Sequence, residues 1–211
     1  MHRLHGARII DPQHSLDGER DLYLSDGRIV ALGDPPPDCP DSQAVEDVDC
    51  SGLWILPGLI DLRASLREPG EEHKEDLFSG LRAAAAGGYT GVCTLPDTKP
   101  SNDTRSVTES MLARAAESGG SRCYPFAAIT LGHEGKQLVE MADLKAAGAI
   151  AVSDANHSIQ NSTIMRRAME YARSFDLLVA HHCLDSSLGS NGDMHEGKLS
   201  TRLGLNGSPR E

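Results

Sequence analysis

The amino-acid sequence predicts an α/β fold: a small β-rich segment, then the first five βα units of a parallel barrel. Strand-like and helix-like segments alternate after residue 58 at a spacing of about 30 residues, which is typical of parallel strands joined by crossover helices. Polar residues gather at the carboxyl ends of these strands, where α/β barrels build their sites. An open doubly wound sheet is the alternative. It is weakened because no G-x-G-x-x-G motif follows the first of these strands.

Residues 1–57 are predicted to form the β-rich segment. ARIID is strand-like, and DLYLSDGRIVALG reads as a hairpin with SDG at its turn. A proline-rich loop, DPPPDCPDSQ, separates this hairpin from the strand-like AVEDVDCSGLWILPG. The first domain therefore ends near Pro57.

Residues 58–211 are predicted to form the partial barrel. The five strand-like segments are GLIDLRASL, YTGVCTLP, CYPFAAITL, AIAVSD and DLLVAHH. The helix-like segments between them are EDLFSGLRAAAAGG, TRSVTESMLARAAESGG, KQLVEMADLKAAG and NSTIMRRAMEYARSF. A loop rich in glycine and serine follows the fifth strand.

The first barrel strand carries the candidate site. Alternation at period two predicts that four polar residues share one face of this strand: Asp61, Arg63, Ser65 and Arg67. Further polar residues, Asp97, Asp154 and His182, end later strands. We therefore expect these side chains to meet at one end of the barrel.

Composition excludes several function classes. The 31 acidic residues outnumber the 20 basic ones, and the net charge of −11 argues against binding nucleic acid. No apolar run is long enough to span a membrane, and the first residues do not resemble a secretion signal. Five scattered cysteines without a CxxC pair are typical of reduced thiols, so we expect a cytoplasmic protein.

Six segments of the sequence resemble successive blocks of dihydroorotase, a member of the amidohydrolase superfamily. They are LPGLIDLRASLREPGEEHKED, AAAAGGYTGVCTLPDTKPSND, AGAIAVSD, NSTIMRRAMEYA, VAHHCLD and GDMHEGKLSTRLGLNGSP. The resemblance implies a TIM barrel of the metal-dependent hydrolase type, and it implies that the first domain is a β-sandwich segment. It also implies a place in pyrimidine biosynthesis.

The resemblance also implies that a zinc site has been lost. Active members carry Asp-x-His-x-His-x-Arg on the first barrel strand, and its two histidines bind zinc. Arg63 and Ser65 stand at those positions here, while Asp154 and His182 match two surviving metal positions. A catalytic zinc needs about three protein ligands, so no cofactor is expected. We also predict that the Arg63 guanidinium pairs with the buried Asp154 carboxylate, the alternative being that Arg63 reaches solvent.

The substrate positions are altered as well. In the family, an arginine and an asparagine hold the carboxylate of dihydroorotate; here they correspond to the retained Arg67 and to Asp97. Leu184 replaces an acidic residue of the fifth-strand block. His133 and His157 are the candidate ligands for a rebuilt metal centre, and His181 is expected to face the helices.

Three functional hypotheses follow. The first is a non-catalytic dihydroorotase-like protein that assembles with the catalytic chain of aspartate carbamoyltransferase as part of an oligomer. The second is an active zinc-dependent dihydroorotase or cyclic amidohydrolase with an atypical metal site. The third is a truncated product without function, since the later catalytic groups of the family lie on barrel strands six and eight. The 211 residues are thus expected to be a fragment of a longer chain or a truncated gene product.

Overall fold

Short strands build the first of two units into which the chain divides, Met1–Gly58 and Leu59–Glu211. The structure, a computed structural model, describes residues 1–39, 45–189 and 192–209. The described strands of the first unit are β1 (His2–His5), β2 (Arg8–Asp11), β3 (Leu16–Glu19), β4 (Leu22–Ser25), β5 (Arg28–Leu32), β6 (Glu46–Asp49) and β7 (Trp54–Ile55). They form one sheet in the order β5-β4-β1-β6 and another in the order β3-β2-β7.

The predicted hairpin of the first unit is confirmed as the antiparallel pair β4–β5. Its turn places Asp26 and Gly27 at φ values of 50° and 72°, as a tight hairpin turn requires. Ile9 from one sheet and Leu22 from the other are buried in this unit. The proline-rich loop falls partly on residues 40–44, outside the described residues.

Strands and helices alternate in the second unit as the sequence predicts. The elements are β8 (Leu59–Ala64), α1 (Leu77–Ala86), β9 (Tyr89–Thr94), α2 (Arg105–Ala116), β10 (Arg122–Ala127), α3 (Met141–Ala147), β11 (Ala151–Val152), α4 (Ser162–Ser174) and β12 (Leu178–Val179). The five strands pair in parallel in the order β12-β11-β10-β9-β8. The predicted five-stranded parallel sheet is therefore present.

Local signals explain where the helices begin. Asp76 and Ser79 form a capping box at the start of α1, and the Asn161 side chain accepts hydrogen bonds from two backbone N–H groups at the start of α4. Leu77 and Leu81 of α1 are fully buried and pack with Val92 of β9. Leu77 and Leu81 are four residues apart, about one helical turn, so they turn one face of α1 toward the sheet.

Two stretches differ from the sequence-based prediction. The helix expected over KQLVEMADLKAAG begins only at Met141, because the preceding segment hydrogen-bonds to residues after β10. Val139 N donates to Ile129 O, and Leu131 N donates to Gln137 O. The loop expected after the fifth strand contains four short elements: α5 (Ser186–Gly189), β13 (Met194–His195), α6 (Lys198–Leu203) and β14 (Gly207–Ser208).

The parallel sheet is open, with β8 and β12 as its edges. Leu62 on β8 and Leu178 on β12 are each 72% exposed, so apolar side chains line both edges. None of the described helices is long and apolar enough to cross a membrane.

Candidate functional site

The Arg63 side chain lies at the carboxyl end of β8 and is exposed. Its guanidinium donates a hydrogen bond to Asn156 Oδ1, in the loop after β11. Asp61 does not pair with this guanidinium, because its Oδ1 accepts from the backbone N–H of Arg63 at 2.8 Å. Asn156 therefore holds Arg63 in place across the end of the sheet.

The predicted pair between Arg63 and Asp154 is wrong. Asp154 is 1% exposed, and its Oδ1 accepts backbone N–H groups of Ile129 at 2.7 Å and Thr130 at 2.9 Å. Its Oδ2 accepts from the Thr130 hydroxyl. The buried carboxylate is thus satisfied by the segment that follows β10, and it does not need a guanidinium.

His133 completes the surroundings of Asp154. Its Nδ1 lies 3.5 Å from Asp154 Oδ1, and its Nε2 lies 3.0 Å from the carbonyl oxygen of Pro96. Burial alone raises the pKa of Asp154, but His133, the Thr130 hydroxyl and the backbone N–H groups outweigh burial and lower it. Burial lowers the pKa of His133, and the contacts with Asp154 and Pro96 outweigh burial and raise it.

Of the two candidate rescue ligands, His133 is held by contacts within the chain. Its Nε2 contacts the Pro96 carbonyl oxygen, its buried Nδ1 has no hydrogen-bond partner among the described residues, and its ring stacks on His157 with centroids 5.4 Å apart. We call Asp154, Thr130 and His133 the Asp154 network. Sequence reasoning missed Thr130, whose hydroxyl also accepts from Gly135 N at 2.9 Å.

Arg67 and Asp97, the two predicted substrate-binding positions, do meet. Arg67 Nη1 lies 3.3 Å from Asp97 Oδ2, which also accepts a hydrogen bond from the Ser65 hydroxyl at 2.7 Å. Asp97 Oδ1 is buried without a hydrogen-bond partner among the described residues. The alternation predicted along β8 is wrong at Arg67, because the strand ends at Ala64 and Arg67 adopts a φ of 65°.

A second carboxylate, Glu71, also faces Arg67. Glu71 is 7% exposed, and its Oε2 lies 3.6 Å from Arg67 Nη1. Its Oε1 accepts hydrogen bonds from Lys74 at 2.7 Å and Lys99 at 2.8 Å. These two lysines lower the pKa of Glu71 to about 2, so it is ionised. Carboxylates of the chain itself therefore surround the retained arginine.

The two adjacent histidines after β12 lie together. His181 and His182 line one cavity of about 270 Å³ with Arg63 and Ser153. The prediction that His181 faces the helices is wrong, because β12 ends at Val179 and strand alternation does not extend to residue 181. His182 is exposed and makes no hydrogen bond within the described part of the chain. Leu184, the residue that replaces an acidic residue of the fifth-strand block, is 43% exposed.

Cys183 does not form a nucleophile pair with a histidine base. Its Sγ lies 3.3 Å from Nδ1 of His181. The other ring nitrogen, Nε2, accepts from the backbone N–H of Ile159 at 3.2 Å, so in the neutral ring Nδ1 carries the proton. That nitrogen cannot also accept the thiol proton.

The residues at the family's metal positions do not fit a zinc ion. Arg63 brings a cation to the cavity, the Ser65 hydroxyl is bound to Asp97, and the Asp154 oxygens already accept three hydrogen bonds. Within residues 1–39, 45–189 and 192–209, no three His, Cys, Asp or Glu side chains are grouped so that they could hold a metal ion.

Comparison with known proteins identifies relatives of the chain. The family described as dihydro-orotase-like matches residues 52–211. The chain is 48% identical over 206 residues to the dihydroorotase of Syntrophus aciditrophicus (strain SB), covering 98% of this chain and 48% of that protein. It is 45% identical over 208 residues to the dihydroorotase of Anaeromyxobacter sp. (strain K), covering 99% of this chain and 47% of that protein.

A solved structure confirms the fold class. The L-hydantoinase (dihydropyrimidinase) from Arthrobacter aurescens superposes with a TM-score of 0.72 at 15% identity, covering 89% of this chain and 41% of that one. The second unit is therefore part of an amidohydrolase-type TIM barrel, as predicted. The chain spans about half the length of the curated relatives it matches.

Proposed function

The chain belongs to the dihydroorotase-like family, and on that premise we propose that it does not hydrolyse dihydroorotate and acts as a structural partner of aspartate carbamoyltransferase. One observation carries the first half of the proposal: the cavity contains the Arg63 guanidinium where the resemblance implies a zinc-binding histidine. A fixed cation at that place repels a divalent metal ion.

The Asp154 network supports the absence of a zinc centre. A carboxylate that binds zinc must direct an oxygen lone pair at the metal. Asp154 accepts three hydrogen bonds from Ile129 and Thr130, so zinc would have to displace donors that would then be buried without a partner.

The substrate positions support the same conclusion. Dihydroorotate carries a carboxylate, and Asp97 already places a carboxylate 3.3 Å from Arg67. A second anion there would be repelled by Asp97 and by the ionised Glu71, which lies 3.6 Å from the same guanidinium nitrogen. Binding of dihydroorotate through Arg67 is therefore disfavoured.

The partnership is proposed from the resemblance to dihydroorotase homologues that lack their metal ligands and support the oligomer of aspartate carbamoyltransferase. The buried core of the second unit supports it, because well-packed clusters around α1, α3 and α4 accompany the altered site. A fold that keeps its packed core while its catalytic groups are replaced is what we expect of a protein that acts through binding at its surface.

Metal content and activity test the catalytic half of the proposal. The purified chain is incubated with zinc, desalted, and measured for bound zinc by elemental analysis and for turnover of dihydroorotate. The dihydroorotase of Syntrophus aciditrophicus, treated identically, is the positive control. We expect zinc and turnover in the control only. Stoichiometric zinc with turnover in this chain would establish the atypical hydrolase instead.

Co-purification tests the partnership. The chain is mixed with the aspartate carbamoyltransferase catalytic chain of the same organism, and the mixture is separated by size-exclusion chromatography with light scattering. We expect a stoichiometric complex whose mass exceeds that of either protein alone. Elution of both proteins at their separate masses would contradict the partnership and leave the catalytic conclusion unaffected.

A further inference from the structure

The cavity beside Arg63 combines a cation with an apolar floor. Arg63, Ser153, His181 and His182 contribute its polar groups. Leu95 and Phe126 also line it and are 5% and 9% exposed. From this combination we propose that the cavity binds a small organic carboxylate, its head group at Arg63 and its apolar body against Leu95 and Phe126.

The first argument is the available charge on Arg63. A guanidinium has five N–H donors, and the bond to Asn156 uses one of them. Within the part of the chain that the structure describes, no carboxylate lies within ion-pair distance of Arg63, and Asp61 turns its Oδ1 to the backbone instead. The remaining donors match the forked geometry of a carboxylate.

The second argument is preorganisation. Arg63 lies at the carboxyl end of β8 and Asn156 lies in the loop after β11, so their hydrogen bond joins two strands that are not neighbours in the sheet. A guanidinium fixed in this way loses less conformational entropy when it binds an anion. The positive charge is therefore held at the cavity before a ligand arrives.

The third argument is the rest of the lining, which contains no carboxylate among its described residues. The Ser153 hydroxyl accepts a hydrogen bond from Ala155 N at 3.1 Å, which leaves its own hydrogen free to donate to an anion. In a chain with a net charge of −11, a cavity that presents a cation without an acid is selective for anions.

Size and polarity restrict the ligand class. The cavity volume of about 270 Å³ is slightly below the usual range for drug-sized ligands, so a molecule of small size fits. Inorganic phosphate would leave Leu95 and Phe126 uncovered, whereas a carboxylate with a ring or short apolar body would cover them. The proposal goes beyond the scaffold function, since it requires neither zinc nor a partner protein.

Benzoate is the probe that tests the site, with benzamide as its neutral isostere and inorganic phosphate as an anion without an apolar body. Each compound is titrated into the complete chain, and binding is followed by calorimetry and by NMR shifts of the histidine rings. We expect saturable binding of benzoate, with benzamide and phosphate much weaker. Absence of saturable benzoate binding, or equal binding of benzoate and benzamide, would overturn the proposal.

Variants locate the binding to Arg63. Arg63→Met keeps the length of the side chain and removes its charge, and we expect benzoate binding to weaken about 10-fold or more. Arg167→Met changes an exposed arginine of α4 in the same way and serves as the matched control with unchanged binding. Equal affinities of the two variants for benzoate would overturn the proposal.

A conservative variant covers the case in which Arg63→Met perturbs the fold. Arg63→Lys keeps the positive charge but not the fork, so we expect binding between that of the wild type and that of a neutral variant. Circular dichroism of each variant reports folding independently of the titration. If Arg63→Lys folds as the wild type does and binds no better than Arg63→Gln, charge at this position does not recruit the ligand and the proposal is wrong.

Discussion

The Asp154 network and the Arg63 cavity lie at the same end of one sheet. They differ in the burial and in the hydrogen bonding of their charged groups. The Asp154 carboxylate is 1% exposed and accepts hydrogen bonds from two backbone N–H groups and a hydroxyl. Arg63 is exposed, and among the described residues its guanidinium has one hydrogen-bond partner, Asn156. The Asp154 network is therefore buried and hydrogen-bonded within the chain, whereas the Arg63 cavity is accessible to a ligand.

Arg63 and Asp154, two positions that align with the same family metal site, therefore have different physical roles. A buried charge is stable only when its hydrogen-bonding capacity is filled, so Asp154 now contributes to the fold. An exposed charge keeps its hydration and contributes little to folding. We therefore expect substitutions in the Asp154 network to reduce stability, and substitutions in the cavity to change binding alone.

The largest expected effect comes from Asp154→Ala. The change leaves the backbone N–H groups of Ile129 and Thr130 buried without acceptors, and we expect a loss of about 3 kcal/mol in the free energy of unfolding. Urea denaturation followed by circular dichroism measures it. Asp143→Ala, at an exposed position of α3, is the control and should cost about 0.5 kcal/mol or less. Equal losses in the two variants would show that the hydrogen bonds of Asp154 do not stabilise the fold.

A smaller effect is expected from Thr130→Val, which preserves shape and removes the hydroxyl. The hydroxyl donates to Asp154 Oδ2 and accepts from Gly135 N, so we expect a loss of about 2 kcal/mol. Thr163→Val changes an exposed threonine of α4 and controls for the altered side-chain type. If both variants unfold at the same urea concentration, the hydroxyl contacts do not stabilise the network.

Lowering the pH should weaken the contacts of Glu71, a residue that belongs neither to the Asp154 network nor to the Arg63 cavity. Its pKa of about 2 lies below the ordinary value of 4.5, so the stabilisation from its lysine contacts is fully present above pH 4.5 and is lost as pH falls toward 2. Glu71→Gln cannot titrate, so the difference in stability between wild type and variant should shrink as the pH is lowered through that range. Thermal unfolding across this pH series measures it, and a constant difference would contradict the assignment.

The smallest effect on stability is expected in the cavity. Arg63→Met removes an exposed charge with no carboxylate partner in the described structure, so its free energy of unfolding should stay within about 0.5 kcal/mol of the wild type. Urea denaturation of the folded variant checks this. A loss as large as that of Asp154→Ala would mean that Arg63 supports the fold, and the contrast between the two regions would disappear.

Local sequence patterns were sufficient for most elements of the second unit. Period-two and helical apolar patterns, glycines after helices and capping residues such as Asp76 and Asn161 act over a few neighbouring residues, so they can be read without a structure. The same reasoning failed for KQLVE, because Val139 pairs with Ile129 rather than continuing the helix backward from Met141. Tertiary contact overrode local propensity there.

The candidate site shows the same limit. The sequence pattern predicted that Arg67 and Asp97 lie at the same end of the barrel, and the resemblance implied that they act together; the structure joins them at 3.3 Å. The sequence pattern could not show that Thr130 satisfies Asp154 or that His181 turns toward the cavity, since these contacts depend on how the loops after strands fold.

The order of strands and helices, the class of fold and the chemical groups at the ends of the strands could therefore be predicted from the residue pattern. Which of those groups are partners depends on the three-dimensional packing. The contact between Arg63 and Asn156 spans 93 residues, and that between Thr130 and Asp154 spans 24. No periodicity encodes such pairs, because the strand order and loop conformations that bring them together come from packing of the whole unit.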